Sequence, residues 1–179
     1  ILFEKVLFSG DHILPQITPH PSVSLSYKRF QNILPEGYQG GNGYYGLKVY
    51  LQSLSKVLSL GDDLTVMPAH RAFYRGKFNP IGIRRAREII EHHQERFHHI
   101  LDLLRNGPLA MEDITRKHFS GHHLEARNYY LAFSEIVSHI ELLQEVGDVD
   151  MVGGEKGLVH WKGTEHFARF IDGLLTKTT

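Results

Sequence analysis

The chain has 179 residues, 41% of them hydrophobic and 22% charged, a profile that fits one large or two small globular domains and excludes disordered or collagen-like chains. Lys plus Arg and Asp plus Glu both number 20, and the split is mild (8 basic and 5 acidic side chains in residues 1–80, 12 and 15 in 81–179), so no global field draws the molecule to nucleic acid or to an anionic membrane. The absence of cysteine excludes disulfides, thiolate nucleophiles and sulfur-bound metals, leaves His, Asp and Glu as metal donors, and suits a reducing cytoplasm.

The chain opens on a strand-like run, Ile1 to Phe8, with no initiator Met, and this predicts a fragment whose N-terminal portion has been removed. Within it, apolar Val6-Leu7-Phe8 gives way to Ser9-Gly10-Asp11-His12, a strand ending in a polar turn, where α/β proteins gather ligands. From Pro15 to Gly46 the chain is rich in Pro, Gly, Ser and Tyr and includes Gly40-Gly41-Asn42-Gly43; no periodicity survives, and a mobile lid or binding loop is expected. An amphipathic helix is predicted over Leu47 to Leu60, stopped by Gly61. A second short strand, Leu64 to Met67, again delivers a polar side chain at its end, His70 of Pro68-Ala69-His70-Arg71.

Ile83 to Arg105 is the longest helical pattern. Ala86, Ile90, His93, Phe97, Ile100, Leu101 and Leu104 form its apolar stripe, with Glu88, His92, Glu95, His99 and Asp102 opposite. Asn106-Gly107-Pro108 ends it. A short helix (109–119), a second helix (124–146), two strands around 153–157 and a last helix (166–175) follow. Helix, helix and hairpin in that order predict a winged-helix-like domain over 106–179, leaving 1–105 as a separate domain. No apolar run reaches the roughly 18 residues of a membrane span.

Strand-Ser9-Gly10-Asp11-His12, followed 59 positions on by strand-Met67-Pro68-Ala69-His70, resembles the second half of the metallo-β-lactamase fold. The helix with Arg84-Arg85-Ala86-Arg87 and His92-His93, and the domain after it, resemble the branch with an appended C-terminal domain. The resemblance implies the C-terminal half of an αββα domain. In it Asp11 bridges two zinc ions, His70 binds one of them, and a metal-bound hydroxide is the nucleophile of a hydrolase acting on a small ester, thioester or phosphoester, or on RNA. The family's upstream HxHxDH motif and its HTPGH-like turn are missing. Because a hydrolytic zinc needs about three protein ligands and an open position for water, zinc binding is expected to be weak or absent in this chain alone, and the chain inactive.

Other residues are weaker candidates. His12 follows the bridging ligand, and Tyr44 and Tyr45 sit in the expected lid; all three are read as substrate contacts. His92 and His99 belong to a solvated face, His93 to the core or an interface, and His122 and His123 to a turn. The helix over 124–146 supplies only Arg127 against Glu125, Glu135, Glu141 and Glu145, so it predicts no DNA binding and instead packing through Tyr129, Tyr130, Phe133, Ile136 and Leu143. A truncated sheet also predicts a homo-oligomer. The alternative to the enzyme is a non-enzymatic winged-helix regulatory or interaction module.

Overall fold

The computed structural model describes residues 1–29, 31–39, 43–121, 125–153 and 157–176. His122, His123, Leu124, residues 40–42 and residues 154–156, all singled out above, lie outside the described residues. Two compact units emerge: Ile1–Pro19 with Leu51–His93 and Ile171–Thr179, and His20–Tyr50 with Gln94–Phe170. Their limits differ from a division at residues 105 and 106, since the second unit draws chain from both sides of Asn106.

In the first unit the run Ile1 to Phe8 is not one strand. Glu4 takes a left-handed conformation (φ 51°), and the chain folds back as β1 (Leu2–Phe3) on β2 (Val6–Gly10), pairing Leu2 with Leu7 and Phe3 with Val6. β2 lies parallel to β3 (Thr65–Pro68), as Val6 faces Thr65 and Leu7 faces Val66. After β3 come a hairpin of β4 (Phe73–Tyr74) and β5 (Lys77–Phe78), and then β6 (Ile81–Gly82), which pairs antiparallel with β3. The sheet order is β1-β2-β3-β6. A parallel pair needs a crossover. It contains α1 (Leu47–Leu58), whose buried Leu51, Leu54 and Leu58 recur at the helical spacing. The same spacing recurs in α2 (Arg84–Leu104), where Ala86, Ile90, Phe97, Ile100, Leu101 and Leu104 are buried.

The second unit holds a three-stranded sheet of β7 (Leu109–Ala110), β8 (Val149–Val152) and β9 (Leu158–Trp161), in the order β7-β9-β8. Leu109 and Ala110 thus belong to a strand rather than to the predicted helix, because they pair with Val159 and Leu158, a long-range partner that local periodicity does not reveal. The helix proper is α3 (Met111–His118). α4 (Ala126–Val146) ends at Gly147, whose φ of 87° lets Asp148 N–H return to the Leu143 carbonyl at 2.8 Å. α5 (His166–Thr176) starts on the carboxylate of Asp148, which is fully buried and accepts from the His166 and Phe167 amides at 2.7 and 2.8 Å and from the Thr164 hydroxyl at 2.9 Å.

The expected structureless segment Pro15 to Gly46 contains three short 3-10 turns, at Tyr27–Arg29, Gln31–Ile33 and Glu36–Tyr38. Glu141 of α4 organises its beginning. The carboxylate accepts the Val23 and Ser24 amides, each at 2.8 Å, and the Ser22 hydroxyl at 3.0 Å. Satisfied amides explain why irregular chain packs there.

Candidate metal site

The site lies at the C-terminal ends of β2 and β3. Both strands are short and apolar, and buried Leu7 and Val66 pair side by side. The register slips by one residue between Phe8 and Gly10, so that Gly10 faces Pro68. This bulge re-aims the end of β2. Gly10 has φ +58°, a left-handed conformation that glycine adopts without strain. Its carbonyl accepts the Ala69 amide at 2.9 Å and so ties the two strand ends together one residue from each candidate ligand. The turn is closed by His12 N–H donating to Ser9 C=O at 3.1 Å, and the Ser9 hydroxyl donates to Ile13 C=O at 3.1 Å.

These constraints bring together residues 59 apart in the chain. Asp11 Oδ1 lies 2.5 Å from His70 Nδ1, and the two side chains remain 64% and 65% exposed, open to a ligand. A carboxylate and an imidazole at a strand-end rim are donors of the kind that hold zinc. Among the described residues, no group of three or more His, Cys, Asp or Glu side chains is arranged to hold a metal ion. The donor chemistry therefore fits a divalent cation, while the number of donors supplies only part of a coordination shell.

His12 is half-buried next to Asp11, and burial lowers its pKa below the ordinary histidine value, which favours the neutral ring. Tyr44 is exposed and meets the Tyr38 ring edge-on at 5.2 Å, whereas Tyr45 is half-buried with its ring 5.5 Å from that of Tyr27. His93 is fully buried and bonds the Pro19 carbonyl at 3.1 Å, a hydrogen-bonded core histidine as its place on the apolar stripe implies. His99 is exposed against the His118 ring, with centroids 4.5 Å apart.

Arg71 escaped the sequence reading. It follows His70 with φ 62°, uncommon for a residue with a Cβ, and its guanidinium donates to Gln16 Oε1 at 2.8 Å. Strained backbone of this kind gathers at functional sites, and no local sequence signal announces it.

No family profile and no curated protein matches the sequence. Solved structures do. A β-lactamase domain protein from Burkholderia ambifaria superposes with a TM-score of 0.65 at 23% identity, over 88% of this chain and 42% of that one. A metallo-β-lactamase family protein from Thermus thermophilus gives 0.58 at 27% identity, over 89% of this chain and 42% of its own. The chain thus spans about two fifths of the length of the structures it matches, and its fold relates it to the metallo-β-lactamase superfamily. No helix among the described residues is long and apolar enough to cross a membrane.

Proposed function

We propose that this chain is the C-terminal part of a metal-dependent hydrolase, with Asp11 and His70 as its share of a dinuclear zinc site. The observation that carries the proposal is the convergence of these two side chains at adjacent parallel strand ends, in a chain whose fold relates it to that superfamily. Asp11 supplies the anionic oxygen that offsets cationic charge, and His70 the imidazole. Zinc, when bound, lowers the pKa of water to about 7 and so provides a nucleophile at neutral pH. His12, neutral at its half-buried position, offers a hydrogen bond to substrate, and Tyr44 and Tyr45 are assigned to substrate contact from their place in the sequence. The proposed substrate class is a small ester, thioester or phosphoester, or RNA, and the proposed location is the cytoplasm.

Two donors fall short of the roughly three per zinc that hydrolysis needs. Dialysed protein comprising these residues alone is expected to retain little zinc by elemental analysis and to turn over neither a generic ester nor a phosphodiester; stoichiometric zinc with turnover would refute the inactivity of this segment. In a chain that also carries an HxHxDH motif, Asp11→Asn or His70→Ala should lower hydrolysis by about a hundredfold or more, beyond the loss typical of groups that only support ligands. Unchanged rates would overturn the assignment.

The order α3, α4, β8, β9 with sheet order β7-β9-β8 supports reading residues 106–179 as a winged-helix-like domain appended to residues 1–105. It also supports the second reading, a non-enzymatic regulatory or interaction module. Zinc binding and hydrolysis separate the two, since the module requires neither.

A further inference from the structure

We propose that a hollow in the second unit, bounded by the turns after Ser22, the first turn of α3, one stripe of α4 and β8, is a binding site for a single-chain carboxylate amphiphile of the fatty-acid class. All of its walls belong to that unit and neither Asp11 nor His70 takes part, so the proposal stands apart from the hydrolase reading.

Helical and strand periods place the walls. On α4, Phe133, Val137, Ile140, Glu141 and Gln144 recur at spacings of three and four and form one stripe, about 16 Å long at the helical rise of ~1.5 Å per residue. Val137 and Ile140 are its buried floor. Met151 enters from β8, on the strand face that it shares with fully buried Val149, and Met111 enters from the first residue of α3. The remaining wall is the segment after Ser22. There the Ser26 and Tyr27 amides donate to the Ser22 carbonyl and the Lys28 amide to that of Val23, and the coiled backbone brings Ser24, Leu25 and Lys28 to one side. The Glu141 carboxylate fastens this segment to α4 through the Val23 and Ser24 amides. The hollow measures about 460 Å³, within the range of small-molecule sites.

Leu25, Met111, Phe133 and Met151 are only half-buried, so four large apolar side chains line the hollow with surface to spare. Two methionines among them give walls that adapt to a flexible chain. The polar groups gather where α4 meets the segment after Ser22. Both oxygens of Glu141 are already engaged by that segment's amides and hydroxyls. The Lys28 ammonium, by contrast, is exposed and forms no ion pair among the described residues, so the charge left to meet a ligand there is positive. Beside Met111, Glu112 and Asp113 of the first turn of α3 disfavour an anion. An elongated apolar trough with one open cation on its rim fits an extended chain bearing one carboxylate, and fits poorly a cationic amphiphile or a polyanion.

The test is isothermal titration of the whole chain with sodium dodecanoate below its micelle concentration. One saturable site per chain is expected, and decanoate, two CH2 groups shorter, should bind about 15-fold more weakly. Dodecanol, which keeps the chain and lacks the charge, should bind about fivefold more weakly, the upper value for a solvent-exposed ion pair; Lys28→Gln should weaken dodecanoate to that level and leave dodecanol unchanged. Met151→Trp, which fills the hollow from β8, should remove binding of both while circular dichroism shows the helices intact; Leu25→Trp, filling it from the opposite segment, serves if that variant does not fold. Phe3→Glu, at an exposed edge of the first unit, should bind as the unsubstituted chain does, which separates this site from apolar association elsewhere. Absence of binding, uptake at several sites without saturation, equal affinity for dodecanol, or binding indifferent to both Lys28→Gln and the tryptophan variants would overturn the proposal.

Discussion

Gly10 sets the direction in which Asp11 leaves its strand. A Cβ there would meet nothing within 4 Å, so the consequence of adding one is conformational rather than steric. Gly10→Ala should cost about 1 kcal/mol in chemical denaturation because alanine resists the left-handed region, and Gly10→Asn should recover part of the loss. Equal stability of glycine and alanine variants would show that the turn adapts. The placement of Asp11 and His70 just past two strand ends was legible in the sequence because each follows an apolar run. The Gly10 bulge, the Ala69 amide that locks the two ends and the strained Arg71 were not, since each depends on the partner strand and leaves no mark in local composition.

Between elements, two carboxylates, fully buried Asp148 and partly buried Glu135, tie parts of the second unit together. Asp148 holds the first amides of α5, and Asp148→Ala would strip two of its backbone donors of their acceptor. A loss of about 2–3 kcal/mol is expected, larger than for a surface cap because the group is fully buried; a shift below about 0.5 kcal/mol in urea denaturation would contradict it. Glu135 of α4 pairs with Arg96 of α2, yet burial outweighs the attraction and raises its pKa above the ordinary 4.5, as burial also lowers that of Arg96. A raised folded pKa means that the contribution is fully present below about 4.5 and is lost as pH rises through the folded value. The stability advantage of the native chain over Glu135→Gln should accordingly shrink with rising pH in thermal melts. The helices bearing these groups were readable from their roughly 3.6-residue periodicity. β7 and the turns organised by Glu141 were not, because Leu109 and Ser22 are fixed by partners 50 and 119 positions away.

For the whole molecule, β1 stands at the sheet's edge, and Ile1, Phe3 and Phe8 are 90%, 65% and 51% exposed. Open strand edges beside apolar side chains recruit further chains. Light scattering should show association that grows with concentration and is suppressed by Phe3→Glu; a monomer at every concentration would speak against it. The α/β character could be read from apolar patterning, since strands and long helices have distinct periods. The grouping of His20–Tyr50 with Gln94–Phe170 could not, because sequence order says little about which distant segments condense together.

The Asp148 carboxylate has a kinetic consequence as well. Because it joins the end of α4 to the start of α5, the His166 and Phe167 amide protons are released to solvent only when that corner opens. Their hydrogen exchange therefore reports the opening of two helices at once, and fraying of α5 by itself begins at its other end.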